Sequence, residues 1–286
     1  QLHAAVELAA KHQVPILPRA GGSSLAGQAV GKAVVLDLTR YLHQVLEVNA
    51  EEQWVRVEPG VVLDTLNLQL RSYGLQFGPD PASSNRAAMG GIVANNSTGS
   101  HSIIYGMTAD HVLETGLFLS DGSQAHFGPL EDGVLAQKTQ LSGYQGQIYR
   151  EIAALVASAE NQQIIRDGTP KHWRRCGGYN IDRLISGGIS YCGEHDTRFN
   201  LAKLLCGSEG TLGVMHEIKL QLVPRPKQTG LAIVHFSNGR AALEAIPTIL
   251  ETQPSACELL DDMGLSLCRQ MPQYAQMLAQ FVEGAP

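Results

Sequence analysis

Residues 18–28, Pro-Arg-Ala-Gly-Gly-Ser-Ser-Leu-Ala-Gly-Gln, stand between two strand-length apolar runs at 14–17 and 33–38, and that placement constrains the fold more than any other feature. Adjacent Gly21 and Gly22 let main-chain amides converge on one point without Cβ interference. Ser23 and Ser24 add hydroxyl donors, and together these groups make a nest for a diphosphate. Spelled in isolation, the same loop also suits an ordinary tight turn. Residues 1–12 repeat apolar positions (Leu2, Ala5, Val6, Ala9) at helical spacing, so the chain opens as helix, strand, glycine-rich loop, strand.

Further along, 44–48 and 54–58 alternate about the polar turn 49–53 as a hairpin, and 62–73 has helical periodicity stopped by Gly74. Residues 78–110 are rich in Gly and Pro and show neither period. Their apolar residues (Met89, Ile92, Val93, Ile103, Ile104) imply a packed segment with a function rather than a linker. Strands are expected at 111–119 and 124–127 about an Asp121-Gly122 turn, a helix at 145–166, a glycine-rich stretch at 167–199, and a helix at 201–205 capped by Asn200. A long strand at 211–223 runs into Pro224 and Pro226, which mark a boundary. Beyond it, 231–236, 240–251 and 257–260 read as strand, helix and apolar strand, a β-α-β start too short to close a core.

Bulk properties exclude several classes. A net charge of −6 gives no basic field for nucleic acid or anionic lipid. Apolar runs such as 33–38 and 112–119 are far below the roughly 20 residues of a membrane-spanning helix. Cys176, Cys192, Cys206, Cys257 and Cys268 form an odd set without a C-x-x-C pair, which suits reduced thiols in a cytoplasmic setting. The chain begins at Gln1 inside a helical pattern, so upstream residues of the domain are expected to be missing.

Two rival phosphate motifs fail on spelling. Gly22 to Gly27 has P-loop spacing, but Gln28-Ala29 stand where Lys and Ser/Thr are required. Gly207-Ser208-Glu209-Gly210-Thr211-Leu212-Gly213 follows a helix and opens a strand, the reverse of the Rossmann order.

Five motifs in order carry a resemblance: the 18–28 loop, Pro79-Asp-Pro-Ala-Ser-Ser84, Gly90-Gly-Ile-Val-Ala-Asn-Asn-Ser-Thr-Gly99, Tyr105-Gly106, and Gly207 to Gly213. They resemble the p-cresol-methylhydroxylase-type FAD domain of the vanillyl-alcohol oxidase superfamily. Within it, the chain is most similar to FAD-linked oxidases of 2-hydroxy acids: D-lactate dehydrogenase, the glycolate oxidase FAD subunit and D-2-hydroxyglutarate dehydrogenase. Ser84-Asn-Arg-Ala-Ala-Met-Gly-Gly91, Tyr105-Gly-Met-Thr-Ala-Asp-His111 and Gly178-Tyr-Asn-Ile181 are closest to large bacterial members that carry iron–sulfur motifs after the flavin part.

The resemblance implies an α+β fold, a two-subdomain FAD-binding domain with mixed sheets flanked by helices over 1–225, and the start of an α/β cap domain over 226–286. It implies that Arg19, Ala20, Gly21, Gly22, Ser23, Ser24, Gly27 and Gln28 surround the FAD pyrophosphate, chiefly through backbone amides. Pro81, Ser83, Ser84 and Ala88 would line the other side of the cofactor. Gly91, Asn95, Asn96, Ser97 and Gly99 would pass close to the isoalloxazine and ribityl chain, and Glu209, Gly210, Gly213 and Val214 would meet the adenine end. Covalent members place a His after the glycine pair, where this chain has Ser23, so dissociable FAD is expected.

The implied reaction is hydride transfer from Cα of a small 2-hydroxy acid to flavin N5, followed by passage of electrons to an acceptor that the sequence does not identify. The cofactor carries the difficult step and the protein supplies position and field. Other readings are a different flavoenzyme of the superfamily, such as an enolpyruvyl reductase or an alcohol oxidase, and a flavin-binding subunit without turnover. No catalytic residue or metal ligand is assigned. His216-Glu217 lacks the second His of a zinc-protease helix, and Glu194-His195-Asp196 reads as a polar loop. Arg174 and Arg175 read as exposed loop charges, which leaves Arg86 as the best candidate for a functional cation.

Overall fold

The structure is a computed structural model that describes residues 1–172, 174–185, 196 and 198–282. The chain divides into two compact units, Gln1–Arg225 and Pro226–Pro286.

The first unit opens with α1 (Leu2–His12), which ends on Gln13 in the left-handed region at φ 53°. β1 (Ile16–Arg19) and β2 (Val34–Asp37) then pair in parallel, Ile16 opposite Val34. β3 (Val45–Asn49) and β4 (Trp54–Val57) form the expected hairpin, followed by α2 (Leu63–Leu70), a 3-10 turn Arg71–Tyr73 and β5 (Leu75–Gln76). Next come α3 (Met89–Asn95), α4 (Ser102–Tyr105), α5 (Thr108–His111), β6 (Val112–Phe118) and β7 (Gln124–Phe127). α6 (Val134–Thr139), α7 (Gly143–Ala157), α8 (Ala159–Gly168) and α9 (Ala202–Leu205) lead to β8 (Val214–Gln221) and β9 (Val223–Pro224).

The main sheet is antiparallel in the order β3-β4-β8-β6-β7. Alternation along its strands explains its two faces. Val55, Val57, Ile218 and Leu220 are fully buried and pack with Leu63, Leu66 and Leu70 of α2 and with Met89, Ile92 and Val93 of α3. Each such side chain contributes about 1.5–3 kcal/mol of burial. Residues of opposite parity face outward as an ionic ladder, Arg56 to Glu217 at 2.6 Å and Lys219 to Glu114 at 2.9 Å.

The α+β class is as expected, with local differences. Residues 78–110 contain three short helices where no regular structure is expected, because Met89, Ile92 and Val93 bury one stripe of α3 and outweigh the poor helix propensity of Gly90 and Gly91. The single helix expected over 145–166 is divided at Ser158, which leaves helical geometry (ψ 125°) and caps α8 by accepting from the Asn161 amide.

In the second unit, α10 (Gly239–Glu251) forms, but 231–236 and 257–260 are not strands. The elements that follow are α11 (Asp262–Gln270) and α12 (Pro272–Leu278). Residues 231–235 are exposed, and no strand exists among the described residues of this unit to pair with them, so their β-propensity has nothing to act on. No helix among the described residues is long and apolar enough to cross a membrane.

Candidate functional site

Four chain segments close on one another at the ends of β1, β4 and β8. Gly21, just after β1, packs so tightly against 86–88 that a Cβ would stand 2.4 Å from the Arg86 carbonyl oxygen. Gly90 does the same to Pro59 after β4, with a Cβ falling 2.6 Å from the Pro59 Cβ. The loop before β8 is laced to the end of α3: the Gly207 amide donates to Val93 O (3.2 Å), the Glu209 amide to Ala94 O (2.9 Å), and Asn95 Nδ2 to Glu209 Oε1 (2.9 Å). Glu209 and Gly210 take left-handed φ values of 51° and 79°, which turn the loop back over Pro18.

The result is a cleft of about 420 Å³, within the range of small-molecule and cofactor sites. The 19–28 loop lines it with Arg19, Ala20, Gly21, Gly22, Ser23, Ser24 and Gln28. Pro81, Ser83 and Ala88 form a second wall, Gly91, Asn95 and Ser97 a third, and Glu209, Gly210 and Gly213 a fourth.

Five other residues from those motifs do not line it. Gly27 sits at the loop tip with no heavy atom within 4 Å of where a Cβ would be. Ser84 spends its carbonyl on the Asp64 amide of α2. Asn96 is fully buried as the left-handed cap of α3, its Oδ1 accepting from the Ala109 amide. Gly99 is pressed onto Asp80, and Val214 packs with Val6, Leu38 and Phe118. Conversely, Pro59, Thr98, Cys176 and Met215 do line the cleft. Thr98 lies within the Gly90–Gly99 motif; tertiary approach brings the other three there, and among them only the Pro59-Gly60 turn after a strand offered a local sign.

The cleft's polar groups are poorly satisfied by the protein itself. Among the described residues, the amides of Ala20, Gly21, Gly22, Ser23 and Ser24 donate to no protein acceptor. Arg19 Nε and Gln28 Oε1 are buried without a partner. A buried polar atom left unpaired costs about 1–3 kcal/mol, so a ligand able to meet these groups recovers that cost on binding. The outer part of Arg19 is engaged: Nη2 donates to Asp37 Oδ2 at 3.0 Å. Hydrogen bonds from Thr39, then the Arg19 guanidinium, hold the Asp37 carboxyl below its usual range. A nest of free amides with two nearby hydroxyls suits an anion, and the small residues Ala88, Gly91 and Ala94 leave room for a flat ring system against the wall.

The cation expected at Arg86 is not in the cleft. Its side chain is exposed and donates to Asn85 Oδ1, and only its carbonyl touches the glycine loop. Arg175 is also not an exposed loop charge: it pairs with Asp182, whose side chain is 6% exposed. Arg174 is exposed, and its Nε donates to Thr98 Oγ1 at 3.2 Å. His216 lies on β8 against the Phe118 ring, and Glu217 belongs to the ionic ladder. Glu194 and His195 lie outside the described residues, while Asp196 binds Arg198.

Residues 1–128 match the family model described as FAD binding domain. D-2-hydroxyglutarate dehydrogenase of Pseudomonas putida is 36% identical over 255 residues, covering 89% of this chain and 24% of that protein. The enzyme of the same name from Escherichia coli is 32% identical over 253 residues, covering 88% and 24%. Glycolate oxidase subunit GlcD of Bacillus subtilis is 25% identical, covering 90% of this chain and 43% of that protein. The chain thus spans about a quarter of the length of the first two relatives. Among solved structures, alkyldihydroxyacetonephosphate synthase superposes with a TM-score of 0.58 at 20% identity over 98% of this chain and 42% of that one, a likeness of fold.

Proposed function

We propose, from the match of residues 1–128 to an FAD binding domain, that this chain is the cofactor-gripping part of an FAD-linked oxidoreductase that oxidises a small 2-hydroxy acid. The observation that carries the reading is the cleft itself, where glycine-rich segments far apart in sequence converge around unpaired amides and the orphaned Gln28 Oε1 and Arg19 Nε. Bound FAD would supply the acceptor for the hydride from the acid's Cα.

The protein's own groups do the holding. The amides of residues 20–24, with the Ser23 and Ser24 hydroxyls, bind the pyrophosphate. Ser83 and Pro81 close the opposite side. Gly91, Asn95 and Ser97 form the near wall for the ring and ribityl chain, and Glu209 to Gly213 meet the adenine end through backbone groups. Sequestration between these walls excludes water from the cofactor. The substrate class follows the relatives named above, and a cytoplasmic, reducing setting accords with the free Cys176, Cys206, Cys257 and Cys268.

Anaerobic titration of the full-length flavoprotein with a panel of D-2-hydroxy acids tests the proposal. Bleaching of the oxidised flavin band by at least one acid is expected. No bleaching by any member of the panel would refute the substrate class.

A further inference from the structure

Residues 174–184 run beside the cleft and fasten two of its walls together. Toward the loop after α3, Arg174 Nε donates to Thr98 Oγ1 (3.2 Å), and the Arg175 carbonyl accepts from Asn96 Nδ2 (3.4 Å). Toward the loop before β8, Asn180 Nδ2 donates to Cys206 O (2.6 Å), and the Tyr179 and Thr211 hydroxyls share a hydrogen bond (2.8 Å). Gly178 O lies so close to Gly207 that a Cβ there would approach to 2.6 Å. An internal ion pair, Arg175 to Asp182, braces the segment, and the buried pair of Arg183 with Asp110 anchors it to α5. Between these fastenings the segment places Cys176, an exposed free thiol, on the lining of the cleft.

We propose that residues 174–184 are a clasp that fixes the spacing of the two walls and presents Cys176 to the bound cofactor, making this thiol a cofactor-contacting residue. The inference rests on the reading of the cleft as the FAD site. It assigns a role to a segment from which no cofactor-binding residue is expected by sequence. Because Cys176 lines the cleft, its accessibility reports directly on occupancy.

The test uses the full-length protein, apo and FAD-loaded, with binding first measured by titration and labelling by iodoacetamide then followed at each cysteine by peptide mass spectrometry. Exposed Cys257 of the second unit is the internal reference. With FAD at about a hundred times its Kd, about one molecule in a hundred is empty, so Cys176 labelling should slow by up to about a hundred-fold relative to Cys257. Cys176→Trp should weaken FAD binding by about ten-fold or more, since an indole overfills the wall, while the apo melting temperature verifies that the variant is folded. FAD that binds yet leaves Cys176 labelling unchanged would overturn the inference while the cofactor reading stands. A folded protein that binds no FAD would instead refute the cofactor reading, and the inference with it.

Discussion

Asp110→Asn is expected to destabilise the first unit by about 3–5 kcal/mol, the usual cost of removing one partner from a buried ion pair. The magnitude follows from the surroundings. Asp110 Oδ1 accepts from Arg183 Nη1 at 2.5 Å, both side chains are only 2% exposed, and Oδ2 accepts from the Met107 amide at 2.7 Å. The asparagine retains a single acceptor oxygen for these two donors and turns an NH₂ group toward one of them. Arg183 cannot shed its proton, so its charge stays buried without its counter-ion. For a unit of this size about 1 kcal/mol corresponds to about 2–4 °C, so the apo melting temperature should fall by about 10 °C. Calorimetry of the wild type, Asp110→Asn, and the double variant Asp110→Asn/Arg183→Met provides the assay. The double variant should recover most of the loss, because the uncompensated charge is gone. A drop below about 2 °C for the single variant, or a double variant no more stable than Asp110→Asn, would refute the reasoning. FAD affinity should fall in the single variant too, because α5 holds the cleft loop through Ala109 N to Asn96 Oδ1 and Thr108 Oγ1 to Ser97 O.

Gly91→Ala should raise apo stability slightly, by about 0.5–1 kcal/mol, because its methyl meets only Ala20 Cβ at an ordinary 3.6 Å. The same methyl intrudes on the cleft, so FAD affinity should drop, and a calorimetric and fluorescence titration showing both unchanged would contradict the placement of Gly91. Burial, opposed by the Tyr105 carbonyl hydrogen bond, holds the His111 pKa below 6.5. As pH falls through 6.5 the unfolded chain takes up a proton that folded His111 refuses, so stability declines by up to about 1.4 kcal/mol per pH unit until the folded pKa is reached. His111→Gln removes that component, and the difference between urea midpoints at pH 7 and pH 5 should shrink. An unaltered difference would show that His111 does not govern the acid limb.

Much of the fold was legible where local chemistry and tertiary demand agree. The 18–28 loop lies between two strands, the alternation of Trp54 to Val57 matches a sheet with one buried face, and Asp121-Gly122 turns β6 into β7. Legibility failed where packing overrode propensity. Gly90 and Gly91 read as loop residues, yet the core around Met89, Ile92 and Val93 winds them into α3. Residues 231–236 have strand composition but no partner strand among the described residues. The cleft was readable through its glycines, since close approach of backbone demands them at Gly21, Gly90 and Gly210. Cys176 and Met215 were not readable, because nothing in their own neighbourhoods foretells a meeting with a loop far away in the chain. Arg175 was misread as a solvated charge because its partner, Asp182, is identified only once the 3-10 turn Ile181–Leu184 is in place.

The central claim is that the convergent glycine-rich walls grip one flavin dinucleotide. Fluorescence titration of the deflavinated full-length protein with FAD, beside Gly21→Val, tests it most directly, because a side chain at Gly21 would strike the Arg86 carbonyl and force the loop off its wall. Saturation at one FAD per chain in the wild type, with binding lost in the variant, is the predicted result. A folded wild type that takes up no FAD, or a Gly21→Val protein that binds it as tightly, would contradict the account.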